Sequence, residues 1–187
     1  HYGDYIYEYG ATALGPRPGK WTAVRQHVGD EIYSIDDYRR RYAQYKSDAH
    51  LQAAHAACAF ATTFDDHEID NNFAGDIDQD GSTPEVFALR RMGGLQAWYE
   101  NMPVRRSAFP SLAHGLTAYR RLQWGRLLRT HVLDTRSYRS DQPCHDSKRG
   151  PCSWEARNAP QMLGSAQESW LERGLATPSQ WNLLAQQ

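Results

Sequence analysis

The feature that most constrains this chain is a crowd of ionisable groups at the end of an apolar run. The run AACAFATTF leads directly into Asp65-Asp66-His67-Glu68. Such a run asks to be buried, and residues 57–64 read as a buried strand. Cys58 within it reads as a small buried hydrophobe. Three acids and a histidine then share the end of that strand. Like charges this close raise one another's pKa unless a cation compensates, so the segment reads as part of a metal site. Consecutive side chains alternate in direction, so the four cannot all face inward. One Asp, His67 and one of Asn71 and Asn72 make the inward set. A solvated acidic loop with His67 satisfied locally is the bland alternative.

A second carboxylate lies near the start, in HYGDYIYEY. Here Gly-Asp reads as the tail of a strand, which puts Asp4 where ligands bind in open α/β sheets. Asp4 and Tyr7 are three apart, so a tight turn can aim both oxygens at one centre, and hard cations prefer oxygen ligands. The alternative is an Asp that caps a helix. Asp76-Ile77-Asp78-Gln79-Asp80-Gly81 has the opening of an EF-hand loop, but Phe87 stands where the bidentate Glu is required, so it reads as an acidic turn. Leu133-Asp134-Thr135-Arg136 reads as another strand end. An Arg beside a metal is a natural phosphate clamp, and an Asp134–Arg136 pair that fixes the loop is the competing reading. Arg105-Arg106 after Met102-Pro103 is a similar candidate.

Between these segments the pattern alternates. Ser34 with Asp37 resembles a capping box, and Tyr38, Tyr42 and Tyr45 follow on one helical face. That helix continues, with a break, toward Ala57. Thr83-Pro84 opens another helix with Phe87, Leu95, Trp98 and Tyr99 inward, weakened by Gly93-Gly94. Residues 127–133 predict a buried strand, Ser165 with Glu168 a helix closed by Gly174, and 181–185 a further strand. Strands alternating with helices give an α/β fold. All 187 residues read as one domain, cut through structure at both ends.

The net charge of −1 argues against a nucleic-acid partner, and no apolar run is long enough to span a membrane. No G-x-S-x-G elbow is present, which disfavours an α/β-hydrolase. Cys144 and Cys152 flank a polar, turn-rich stretch; a disulfide there predicts an oxidising compartment, secreted or periplasmic.

Five segments in order, GDYIYEYG, TTFDDHEIDNNFAGD, RRMGGLQAWYENMPVR, VLDTRSYRSDQPC and LGSAQESWLERGL, resemble the PhoD-like phosphatase family from Gly3 to the last residues. The resemblance implies a metallophosphoesterase-like four-layer α/β sandwich, incomplete in this chain. It implies hydrolysis of phosphomonoesters and phosphodiesters by a metal-activated oxygen nucleophile, with Fe3+ and Ca2+ at the centre. Small phosphate esters, phospholipids and teichoic-acid-like cell-wall polymers all have the right chemistry as substrates. Carried onto this chain, Asp4 bridges metals and Tyr7 ligates iron. Asp66, His67 and Asn71 (or Asn72) line the same centre, with His67 stabilising developing charge, and Arg105 is the candidate phosphate contact. The family's centre also uses an upstream Cys and downstream Asp and His residues, and Cys58, Cys144 and Cys152 do not occupy that upstream position. A non-catalytic calcium-binding or interaction module on the same scaffold is the second reading.

Overall fold

The computed structural model describes residues 1–11, 25–108, 116–142 and 160–187. The predicted Cys144–Cys152 pairing lies outside them.

Helix α1 spans Ile35–Lys46 and starts where the capping box predicted. Ser34 Oγ accepts from the Asp37 N–H, and Asp37 Oδ2 accepts from the Ser34 N–H at 2.9 Å, so two orphan donors of the first turn are satisfied reciprocally. The break falls at Ser47-Asp48. Asp48 then caps α2, Ala49–Ala57, by accepting from the N–H groups of His50 and Leu51 at 3.0 Å each.

Here the structure corrects the reading of residues 57–64. Alanine favours helix, so the first part of the apolar run completes α2 rather than starting a strand. The remainder is extended, but it makes a single parallel bridge, Thr63 to Tyr2. Cys58 is exposed: it terminates α2, with its N–H and Sγ directed at the Ala54 carbonyl.

Helix α3, Pro84–Asn101, runs unbroken through Gly93-Gly94. A methyl on Gly94 would stand 2.9 Å from the Glu68 carbonyl and 3.0 Å from Ile69 Cγ1, and one on Gly93 would stand 3.2 Å from Ile35 N. The two glycines therefore let α3 close onto α1 and onto the 68–69 segment. They cost about 1 kcal/mol each against alanine in helix propensity. Burial of Phe87, Ala97 and Trp98 outweighs that, since removing one buried Trp side chain alone costs about 3–5 kcal/mol. Trp98 meets Phe64 edge to face at 5.4 Å. With Tyr5, Ile6, Tyr38, Tyr42, Ile69 and Phe73 they form the core between the helices and the two charged segments.

The sheet among the described residues has three strands in the order β1-β2-β3. Strand β1, Arg120–Trp124, and β2, Leu128–Val132, form an antiparallel hairpin. Strand β3, Trp181–Ala185, lies parallel to β2, after a crossover that contains helix α4, Gly164–Leu175. Parallel neighbours need such a crossover. The helix does not close at Gly174 as expected: Gly174 is buried inside its last turn, where a methyl would stand 2.5 Å from the Arg121 guanidinium. Gln167 on α4 fastens the end of β2, accepting from the Asp134 N–H at 2.9 Å and donating to the Asp134 carbonyl at 2.8 Å.

Candidate functional site

Asp4 sits in a turn just past the Tyr2–Thr63 bridge, with Gly3 at φ +98° and Asp4 itself at φ +55°. Among the described residues, the non-glycine positions at positive φ are Asp4 and Asn72. Aspartate and asparagine tolerate this region at modest cost. Both flank the same cluster of polar groups, as backbone strain at functional sites often does.

Glu68, fully buried, staples that turn to the second segment. One carboxylate oxygen accepts from the Tyr5 N–H and the other from the Asp65 N–H at 2.8 Å. Burial pushes its pKa to about 7 despite those donors. Asp65 faces the other way, onto the buried Arg136, with Nε at 2.6 Å. Burial raises Asp65 to about 6, against the pull of that guanidinium. Burial also opposes ionisation of Asp66, but Arg136 at 3.6 Å, the Asn72 N–H at 2.7 Å and His67 together hold it below the usual carboxylate range.

What converges is Asp4, Asp66 and His67, each offering one ligand atom within 4.8 Å of the others. The Tyr7 hydroxyl donates to Asp4 Oδ2 at 3.1 Å. Burial raises the Tyr7 phenol strongly, and the Asp4 carboxylate adds to this. Burial likewise raises Asp4, with His67 pulling it down and Asp66 pushing it up. The other oxygen, Asp4 Oδ1, is shielded from solvent and has no hydrogen-bond partner among the described residues. A buried carboxylate oxygen without a donor is costly, and a cation in the cluster would remove that cost. The donor set, two carboxylates, a phenol and an imidazole, suits a hard cation.

The other candidates are placed differently. The Asn71 side chain turns to Gln79 at 2.5 Å and its N–H to Glu8 at 2.9 Å, so the structure does not bring its amide to the cluster, whereas Asn72 is tied directly to Asp66. Arg105 is exposed and lines a hollow with Phe60, Ala61, Thr117, Tyr119 and Arg120, a lining that includes neither Asp4 nor His67. Arg136 does not pair with the Asp134 carboxylate. That group accepts the backbone N–H groups of Arg136 and Ser137, while the guanidinium braces Asp65 and the Phe73 carbonyl. Asp78 accepts from the Ser82 N–H and Asp76 pairs with Arg91, as an acidic turn should. The sequence reading assigned no role to Glu8 and left Glu68, though part of the acidic crowd, outside the inward set. An acid inside the aromatic run YIYEY, where burial is expected, was the available signal for Glu8.

A family model described as PhoD-like phosphatase matches residues 1–187. Alkaline phosphatase D of Bacillus subtilis (strain 168) is 46% identical over 189 residues, covering 100% of this chain and 32% of that protein. A solved structure of PhoD matches with a TM-score of 0.89 at 44% identity, covering 100% of this chain and 35% of the other. The chain thus has the α/β fold of the matching part of PhoD and spans about a third of the length of these relatives.

Proposed function

The chain belongs to the PhoD-like phosphatase family, and on that basis we propose that it contributes Asp4, Tyr7, Asp66 and His67 to a metal centre that hydrolyses phosphomonoesters and phosphodiesters. The observation that supports this most directly is Asp4 Oδ1, buried with no donor among the described residues, inside a cluster of carboxylates and imidazole. Fe3+ with Ca2+ fits the donors: a phenol whose pKa is raised by burial ligates as phenolate only to a strongly polarising ion, and paired carboxylates suit calcium. When bound, such cations would offset the charge of the phosphate ester and ease in-line attack by an oxygen nucleophile.

The chain's own residues supply orientation and charge. Tyr7 donates to Asp4 and Asp66 lies beside it, and Arg136 supplies the buried counter-charge of the Asp65-Asp66 pair. Burial disfavours the His67 imidazolium, but the adjoining Glu8, Asp66 and Asp4 outweigh it and raise its pKa, so the ring can carry a proton to charge developing on the phosphoryl oxygens. Small phosphate esters are the proposed substrates, with phospholipid and cell-wall phosphodiesters in the same class, and a secreted or periplasmic setting is proposed with them. The test is Asp4→Asn in the full-length protein. It should lose bound metal and turnover of a chromogenic phosphate ester together; unchanged turnover would sink the assignment. Calcium alone, with no ester turnover by the wild type, would favour the non-catalytic module instead.

A further inference from the structure

Three consecutive residues grip the ring of His67. Tyr7 lies over it at 4.1 Å between centroids, Tyr9 meets it edge-on at 5.3 Å, and between them Glu8 Oε2 is 2.7 Å from Nδ1. Glu8 is completely buried, and its other oxygen accepts from the Asn71 N–H at 2.9 Å. The backbone on both sides is pinned from α1, where the buried Arg41 donates to the carbonyls of Tyr7 at 2.5 Å and Tyr9 at 2.8 Å. The Glu8 carbonyl accepts from the Ile32 N–H at 3.1 Å. None of these contacts joins Asp4 to Asp66, and the carboxylate meets the cluster through His67.

The geometry points to Glu8 as a positioning residue: its carboxylate takes the Nδ1–H of His67, fixing both the ring plane and the tautomer, and leaves Nε2 as the nitrogen presented to the centre. This rests on His67 belonging to that centre. A carboxylate that accepts only has no proton of its own to give, so a neutral His67 opposite it must carry its hydrogen on Nδ1. The Asp4 and Asp66 carboxylates lie within 4.8 Å of a ring nitrogen, but the hydrogen bond described for the ring is the one from Nδ1 to Glu8, and that direct acceptor selects the tautomer. A carboxylate or carbonyl behind an imidazole is the usual way that a functional histidine is oriented.

Glu8→Gln turns this into a sharp expectation. A glutamine has one acceptor oxygen where Glu8 now serves two donors. The Asn71 N–H is a backbone donor that cannot switch, so the amide oxygen goes to it and the amide NH2 faces Nδ1. Nδ1 must then be bare, and the hydrogen moves to Nε2. Imidazole 15N and 13C NMR shifts of metal-free, full-length protein distinguish the two forms above the histidine pKa, with the His67 signal assigned by its loss in His67→Ala. The wild type should show Nδ1–H, and Glu8→Gln should show Nε2–H. In the metal-loaded protein kcat should fall about 10–100-fold with KM little changed. The double variant Glu8→Gln/His67→Ala should be no slower than His67→Ala, because the two act through one ring. A wild-type Nε2–H tautomer overturns the inference without needing any variant to fold. So does a Glu8→Gln protein that keeps Nδ1–H, a switched tautomer with unchanged kcat, or losses that multiply in the double variant. If instead Asp4→Asn keeps its metal and turnover, the proposed centre fails while the tautomer result still stands on its own.

Discussion

A single methyl at Gly3 should disturb both the fold and the candidate centre. Gly3 lies at φ +98°, and a Cβ there would stand 2.5 Å from Asp65 Cβ, 2.6 Å from Gln187 Nε2 and nearer still to the Asp65 nitrogen. Two costs add in Gly3→Ala. Left-handed backbone costs an L-residue roughly 1–2 kcal/mol, and overpacking a tight contact typically costs about 1–3 kcal/mol. The sum, about 2–5 kcal/mol, is a large share of the roughly 5–15 kcal/mol that holds a domain together. The Gln187 amide can swing aside, but the Asp65 nitrogen and Cβ cannot, so relief has to come by moving segment 3–5 away from 65–66. That movement separates Asp4 from Asp66, so bound metal and ester turnover should fall with stability. Gly81 provides the control, since it too has positive φ (+75°) but nothing lies within 4 Å of its added Cβ. Gly81→Ala should show the backbone cost alone. Urea denaturation of both variants at equal m-value isolates the steric part as their difference. A Gly3→Ala protein no less stable than Gly81→Ala, with metal content intact, would refute the close approach of the two segments.

Arg136→Met should cost about 3–5 kcal/mol, because it strands Asp65 and Asp66 without their buried counter-charge. The cost should grow with pH: folded Asp65 already titrates at about 6, above its unfolded value of about 4, so the folded state holds the extra proton and stability declines as pH rises through that interval. Without Arg136 the folded value climbs further and the decline extends to higher pH. Equal losses in denaturation at pH 5 and pH 8 would contradict this. Ser34→Ala should cost about 1 kcal/mol through the α1 cap. Its partner Asp37, held down to about 2 chiefly by the Ser34 hydroxyl and N–H, has the opposite sign: its contribution is present above about pH 4 and is lost as pH falls toward 2, which acid titration of the α1 circular dichroism will read. A thiol count on unfolded, unreduced protein should find Cys58 alone, rising to three after reduction if Cys144 and Cys152 are paired; three before reduction excludes the disulfide.

The elements that were legible in the sequence are those whose signals are local. Ser34 with Asp37 marked one helix start through a capping box, and Thr83-Pro84 another through proline in the first turn, although Thr83 makes no side-chain cap bond. The run before Asp65 was misjudged because an alanine-rich apolar segment satisfies either a helix or a strand, and α2 claims its first residues while a lone bridge takes the rest. Gly93-Gly94 looked like a weakness within α3, since the close packing on Ile35 and Glu68 that makes it useful is tertiary. The site divides in the same way. Of the candidate residues, Asp4, Tyr7 and His67 stood out in short motifs, while the choice of Asp66 over Asp65 came from the family resemblance. The groups that hold them were not: Glu8 meets His67 across 59 residues, and Arg136 meets Asp65 across 71. Spacing along the chain says nothing about such pairings, which is why Arg136 was matched to its near neighbour Asp134.

Those long spans also set an order of events for folding. Helices α1 and α3 can form from local turns, α1 with its capping box, but each clamp on the charged segment closes a loop of about 60–70 residues, whose entropy must be met before the contact returns anything. A chain that is helical but not yet closed has its acids in water, singly hydrated and far apart. At the proposed centre, cation binding would report completion: ions added during refolding should bind only in the last kinetic phase, and a cation in excess should slow unfolding more than it speeds folding.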